Sequence, residues 1–338
     1  LTLIGEVPMG DAPSFKIEQG QCALIHTGGM LPNGADAAVM IEYTQSADEN
    51  EIEISRAVAD GENVIRIGED VAQGQLVLPK GTFIRPAEIG GLLALGITSV
   101  RAGRKVQVGI LSTGDEVIDP SDTPRPGQVR DINSYTLGAL VEKSGGVAKR
   151  YGIISDQFQA LKEAAAKALS ECDVVLITAG SSASTRDMTA DVIRELGEPG
   201  VLVHGINTRP GKPTILGVCN GKAIIGLPGN PVSALVNGYL FVVPVIEKLL
   251  GALPEPKATV QAKLTVNLPS QAGREDWWPV KLSRPERSGA QTKDEYQADP
   301  IFGKSNLIFT LASADGLLRI SPDATGLSAG ELVEVFLF

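Results

Sequence analysis

Residues 206–217, INTRPGKPTILG, set two cations, Arg209 and Lys212, on a proline-bounded turn in a chain whose formal net charge is −10. A guanidinium fork beside an ammonium point charge suits a small oxyanion. Three other stretches offer different chemistry. LSTGDEV (111–117) ends an apolar run in a tight turn bearing Asp115 and Glu116. ITAGSSASTRD (177–187) follows an apolar run with small hydroxyl residues and then Asp187. IIGLPGNPVSA (224–234) passes through a stiff Pro-Gly-Asn-Pro turn. A serine- and glycine-rich loop opening a helix exposes backbone N–H groups that suit phosphate. Asp115, Glu116 and Asp187 are hard oxygen donors of the kind Mg²⁺ prefers. Carboxylates beside a phosphate call for a cation between them. The pattern therefore predicts magnesium and a phosphorylated ligand, with a second, smaller anion on Arg209 and Lys212.

These loops need strands and helices to hold them. From Lys105 onward, continuous apolar runs (VQVGILS, DVVLITAG) alternate with helical patterns, among them NSYTLGALVEKSGG, SDQFQALKEAAAKALSEC and PVSALVNGYLFVVPVIEKLL. VAKRYGII, TILGV and KAIIGL read as further strands, so residues 104–254 read as a parallel α/β sheet. Ligands of such sheets gather at the carboxyl ends of the strands, where all three loops fall. Asn133 or Ser134 is the expected cap of the first of these helices, and Ser155 or Asp156 that of the second. Residues 1–70 are glycine-rich with short apolar runs (CALIHTGG, AAVMIEY, EIEISRAV), a β-rich pattern. Residues 71–103 read as a hairpin followed by a short helix opening at Pro86 and closing at Gly96. After the proline-rich ALPEPK, residues 255–338 hold only short strand patterns (TVQAKLTVNL, WWPVKL, LIFTLA, LLRIS, ELVEVFLF), as in a small β-barrel or sandwich.

Composition closes off other classes. The 338 residues are 43% hydrophobic and 21% charged, enough for two to three buried cores. An acidic balance argues against a nucleic-acid or membrane-surface role. Three dispersed cysteines, Cys22, Cys172 and Cys219, fit reduced thiols in the cytoplasm better than a disulfide framework. With only His26 and His204, both read as packing residues, zinc is not expected. YLFVVPVIEKLL is short and carries Glu247 and Lys248, so it reads as a buried helix. No Ser-His-Asp arrangement can be argued, and no G-x-G-x-x-G stands where a dinucleotide fold would need it. The chain opens in a strand-like pattern, and an N-terminal segment is expected to precede it.

The ordered set HTGGMLPNGADAAVM, RIGEDVAQGQ, LSTGDEV, GQVRDINSY, GIISD, ITAGSSASTRD, RPGKP and GLPGNPVSA resembles the molybdopterin molybdenumtransferase family, which includes the gephyrin E domain. The resemblance spans essentially the whole chain. It implies an elongated homodimer of four domains per chain, at 1–70, 71–103, 104–254 (of molybdopterin-binding type) and 255–338. It implies a Mg²⁺-dependent reaction of adenylylated molybdopterin with molybdate, giving molybdenum cofactor and AMP. An upstream molybdopterin adenylyltransferase and recipient molybdoenzymes are the implied partners. Carried over motif by motif, the molybdate site would comprise Arg209, Lys212, Pro213 and Ser233, with Arg274 from the C-terminal domain. Thr113, Gly114, Asp115, Asn133 and Ser134 would serve the pterin nucleotide, as would Pro228, Gly229 and Asn230. Gly180, Ser181 and Ser182 would cradle phosphate. Glu116, Asp156 and Asp187 match acidic functional positions, with Asp187 and Glu116 as magnesium ligands. Thr27 and Asp70, from the N-terminal half, match further functional positions and in a dimer would serve the partner's site.

The chain departs from the family pattern in three places. The usual glycine pair of the second loop is replaced by TAGSSASTRD, Arg209 stands where lysine is common, and an Asp-Gly-Tyr-Ala motif before the first strand is missing. Molybdate and tungstate match too closely in size and charge for sequence to separate them. A non-catalytic scaffold that kept the fold and a nucleotide-binding module without metal transfer are the competing readings. The retained acidic set and the RPGKP turn favour catalysis.

Overall fold

Strand and helix signals alternate because different parts of the chain bury different faces. The computed structural model describes residues 1–179, 183–284 and 296–338. These fall into two compact units, Leu1–Pro79 and Lys80–Phe338.

In the first unit, β1 (Thr2–Val7), β2 (Gln21–Ile25), β3 (Thr44–Asp48) and β4 (Glu51–Ile54) form one sheet in the order β2-β1-β4-β3. The sheet is shallow, and Val7 is its one core residue, at 1% exposure. The expected strand over AAVMIEY does not form: Ile41–Tyr43 make a single 3-10 turn before β3. Nor does the hairpin expected after residue 70, where hydrogen-bonded turns such as Gln75 N–H to the Ala72 carbonyl replace strands.

The second unit opens with α1 (Pro86–Ala94), whose proline sits in the first turn. Next come β5 (Gln107–Thr113), the short β6 (Val117–Ile118) and β7 (Val129–Arg130), α2 (Asn133–Lys143), β8 (Val147–Ile154), α3 (Phe158–Glu171), β9 (Val174–Ala179) and α4 (Ala183–Leu196). They are followed by β10 (Pro199–His204), β11 (Thr208–Arg209), β12 (Ile215–Cys219), β13 (Lys222–Pro228), α5 (Pro231–Asn237), a π-helical turn at Gly238–Val242, and α6 (Val243–Leu250). Six strands form the central sheet in the order β10-β12-β13-β9-β5-β8. β13, β9, β5 and β8 run parallel, and the apolarity of β13, β9 and β5 on both faces is what such covered strands require. β12 runs against them. The wholly parallel reading fails there because Asn220 and Gly221 close a two-residue hairpin that lets β12 fold straight back on β13. PGVLVH supplies the further strand β10, which pairs with β12 at the edge.

Both faces of this sheet are covered. Leu111, Ile177 and Ile224 pack with Leu161 and Ala165 of α3 and Ile193 of α4. On the other face, Val108, Ile110 and Leu176 meet Leu137 and Val141 of α2 and Ile246 of α6. Among the described residues, Pro231–Leu250 is long and apolar enough to cross a membrane, yet its Val236, Val242 and Ile246 are fully buried here.

The caps of α2 and α3 differ from expectation. Asp131 accepts the N–H (3.1 Å) and hydroxyl (2.6 Å) of Ser134, so it satisfies the first turn of α2 from just outside. α3 begins after Gln157 without a side-chain cap.

The rest of the chain adds β14 (Thr259–Leu264), the short β15 (Leu268–Pro269), β16 (Glu275–Ser283), β17 (Tyr296–Pro300), α7 (Phe309–Ala312), β18 (Gly316–Ile320), the short β19 (Gly326–Leu327) and β20 (Leu332–Leu337). The pairings β16-β17-β14-β20-β18-β16 close a five-stranded barrel around Leu264, Val280, Leu318 and Val335. LIFTLA is the one exception to the strands expected here: it forms a turn and α7, and Leu311 packs on α5 instead of joining the barrel.

One ion pair ties the start of β5 to the start of β9. Both guanidinium nitrogens of Arg104 donate to Asp173, at 2.7 and 2.6 Å, and the Gln107 N–H donates to the same carboxylate at 2.9 Å. Arg104, and after it the backbone donor, holds the Asp173 carboxyl below its ordinary pKa despite partial burial. A depressed native pKa contributes stability above the unfolded value of about 4 and loses it as pH falls through the lower native value. Asp173→Ala should therefore cost about 1 kcal/mol near neutrality, with screening of the exposed Arg104 keeping the figure small. In urea titrations the gap from wild type should close below about pH 4. A gap independent of pH would rule out the electrostatic account.

Candidate functional site

Because β5, β9 and β13 are parallel and in register, Thr113, Ala179 and Pro228 end at one edge of the sheet. The chain leaves β5 toward β8, whereas β9 and β13 lie on its other side, so strand order reverses between β5 and β9. Open α/β sheets bind ligands at such a reversal. The hydroxyl of Thr113, almost fully buried, spans it by donating to the Thr178 carbonyl at 3.2 Å.

Side chains from three loops then knit the edge together. Asp115 accepts the Asp156 N–H at 3.2 Å, joining the loops after β5 and β8. Asn133, at the start of α2, donates to the Gly229 carbonyl at 2.8 Å and so fixes the Pro-Gly-Asn-Pro turn. The Oδ1 of the same amide is buried and has no partner among the described residues. Asn230 donates to the Ser305 hydroxyl at 3.0 Å, and the Val232 N–H donates to the Ser305 carbonyl at 3.0 Å. The loop after β17 thereby closes on the start of α5.

The basic turn is anchored on two sides. β11 pairs in parallel with β16, placing Thr208 opposite Glu275 and Arg209 opposite Asp276. From α5, the fully buried Asn237 donates to the Pro210 carbonyl (3.0 Å) and to the Ser233 carbonyl (2.7 Å). Arg209 stacks over the Trp278 ring, 5.2 Å from its centroid. Arg274 grips Asp276 in a fork of 2.7 and 3.0 Å, and Arg209 lies 3.9 Å from the same carboxylate. Asp276 is 1% exposed, whereas Arg274 and Arg209 are 26% and 54% exposed. The cations thus reach the surface over an anion that does not.

The other residues singled out from sequence lie partly on these elements and partly elsewhere in the chain. Lys212 is exposed on the turn, Pro213 is half-buried beside it, and Ser233 is buried in α5. Gly114 and the half-buried Glu116 belong to the turn after β5. The Ser134 hydroxyl is taken up by Asp131. Asp187 is exposed on α4, while Gly180, Ser181 and Ser182 lie outside the described residues. Thr27 and Asp70 are exposed in the first unit. Three contributors escape a sequence reading: Asn237, Asp276 and Ser305. Asp276 alone had a signal, since Arg274 and Asp276 are two apart in a strand pattern and so share a face.

Among the described residues, no group of three or more His, Cys, Asp or Glu could hold a metal ion unaided. A magnesium ion does not need such a group, because it takes one or two carboxylates and completes its shell with substrate phosphate and water.

Comparison with known proteins matches residues 2–96 to the MoeA N-terminal region (domain I and II), 109–248 to a domain described as "probable molybdopterin binding domain", and 261–338 to the MoeA C-terminal region (domain IV). The chain is 37% identical over 335 residues to a Methanocaldococcus jannaschii protein named for molybdopterin biosynthesis, covering 96% of this chain and 78% of that protein. It is 30% identical over 336 residues to the molybdopterin molybdenumtransferase of Staphylococcus epidermidis, covering 99% of this chain and 78% of the relative. The crystal structure of a molybdopterin biosynthesis MoeA protein from Pyrococcus horikoshii OT3 superposes with a TM-score of 0.82 at 32% identity, covering 100% of this chain and 81% of that one. The chain belongs to the molybdopterin molybdenumtransferase (MoeA) family.

Proposed function

We propose that this protein is an enzyme of molybdenum cofactor biosynthesis that inserts molybdate into adenylylated molybdopterin and releases AMP. The observation that carries the reading is the anchoring of the basic turn. β16 and Asn237 hold Arg209 beside Arg274, and α5, which carries Asn237, begins at the loop that Asn133 ties to the sheet edge. An oxyanion cradle and a nucleotide edge are therefore braced by one short helix.

Arg209, Lys212 and Arg274 would bind the oxyanion, with charge-assisted hydrogen bonds to its oxygens. The Pro-Gly-Asn-Pro turn and the edge around Thr113 and Asn133 would seat the pterin nucleotide so that its dithiolene sulfurs face the metal oxyanion, which is chiefly a gain in proximity. As each sulfur bonds to molybdenum, an oxygen leaves as water, with protons passed by an acidic side chain of the edge. Glu116 and Asp187 would hold Mg²⁺ jointly with the substrate's phosphates, where it would polarise the pyrophosphate toward hydrolysis. That hydrolysis consumes one water and yields AMP and the pterin monophosphate. The same cradle accepts tungstate.

The test supplies purified protein with Mg²⁺, adenylylated molybdopterin and molybdate, then measures AMP and reconstitution of a molybdenum-free apoenzyme. Both signals should depend on molybdate. Nucleotide binding without AMP release, with molybdate and with tungstate, would replace this reading by a scaffold.

A further inference from the structure

A fully buried carboxylate is costly unless it is paired, and a buried ion pair is by itself weak evidence for stability. Asp276 therefore needs another reason to stand beneath two partly exposed guanidiniums. We propose that Asp276 is a positioning residue that pre-orients Arg274 and Arg209 for the oxyanion, an inference that rests on the function proposed above.

The geometry supplies the argument. Without Asp276, two guanidiniums, one on β11 and one just before β16, would repel each other and sample many rotamers, an entropy that binding would have to overcome. With it, Arg274 is fixed by two hydrogen bonds to both carboxylate oxygens, which a planar fork allows and an ammonium does not. Arg209 is then confined between the carboxylate at 3.9 Å and the Trp278 face at 5.2 Å. Register makes the arrangement rigid. Asp276 faces Arg209 across the β11–β16 ladder and Ile320 across the β16–β18 ladder, so its backbone is held from both sides. Charge follows the same logic: one carboxylate set against Arg209 and Arg274 leaves a surplus of one, and Lys212, exposed on the same turn, would bring it to the two charges of a tetrahedral metal oxyanion.

The experiment titrates molybdate and tungstate calorimetrically into wild type, Asp276→Asn, Arg274→Lys and Lys212→Ala, and measures pterin-nucleotide affinity and the unfolding midpoint in parallel. Asp276→Asn should weaken oxyanion binding at least tenfold while nucleotide affinity stays within twofold. Arg274→Lys, which keeps the charge and loses the fork, should weaken oxyanion binding by a similar factor. A purely structural role would weaken both ligands together, and that result would overturn the inference, as would oxyanion binding equal to wild type in Asp276→Asn. If Asp276→Asn does not fold, Arg274→Lys decides: wild-type oxyanion affinity there overturns the inference, and a tenfold loss with nucleotide affinity intact upholds it. Oxyanion binding lost in Lys212→Ala yet intact in Asp276→Asn removes only the role of Asp276. Absence of oxyanion binding by wild type removes the functional reading along with it.

Discussion

Gly211→Ala should weaken oxyanion binding more than tenfold and lower the unfolding free energy by about 3 kcal/mol. Two costs add at this position. Its φ is +110°, where an L side chain is strained by roughly 1–2 kcal/mol. A new Cβ would also lie 1.7 Å from Nδ2 and 2.6 Å from Cγ of Asn237. That amide cannot step aside cheaply, because it is fully buried and donates to both Pro210 and Ser233. Displacing it would leave two carbonyls short of a donor, at about 1 kcal/mol each, and would free the turn that carries Arg209 and Lys212. Gly221→Ala is the control. Its φ of +80° brings similar strain, but nothing lies within 4 Å of the new methyl. Denaturant unfolding and oxyanion titration of the two variants separate strain from clash. Equal destabilisation, with oxyanion binding unchanged in both, would show that Asn237 does not clamp the basic turn.

The comparison also marks what a sequence can carry. The central strands were legible because a strand buried on both faces is apolar at nearly every position, as in VQVGILS and DVVLITAG. The direction of β12 was not: it depends on whether a hairpin or a crossover connects it, and the signal is only the dipeptide Asn220-Gly221. β10 (PGVLVH) escaped because it is an edge strand with four of its six residues exposed. LIFTLA is as apolar as a strand, yet becomes α7 because its apolar contacts are with α5. For the site, the individual loops were visible as turn chemistry and charge. Their joints were not, since Asn133 reaches Gly229 across 96 residues and Asn230 reaches Ser305 across 75. Asp276 shows the limit most plainly. Its neighbour Arg274 could be singled out as a cation, but a buried anion under two arginines is a property of strand register.

Asp187→Ala should reduce AMP release about 10²–10³-fold and leave the fold intact, the range expected when one contact that stabilises developing charge is lost. The two halves of this prediction have separate grounds. Asp187 is exposed on α4, so the folded state loses little packing, and alanine is the better helix former, which keeps the stability change within about 0.5 kcal/mol. The catalytic half follows from the donor set. On the proposed function, and with no cluster of three ligands among the described residues, a magnesium ion shared with substrate phosphate would depend on each carboxylate it has. The loss should therefore appear as a raised Mg²⁺ requirement as well as a lower rate, and excess Mg²⁺ should recover part of the rate. Asp191→Ala is the matched control, because Asp191 is exposed on the same helix and engaged at 2.5 Å by Arg194 one turn on. It removes the same charge from the same element and should leave both rate and Mg²⁺ dependence unchanged. Full activity in Asp187→Ala would strike Asp187 from the metal site, and equal losses in the two variants would reduce the effect to the general field of α4.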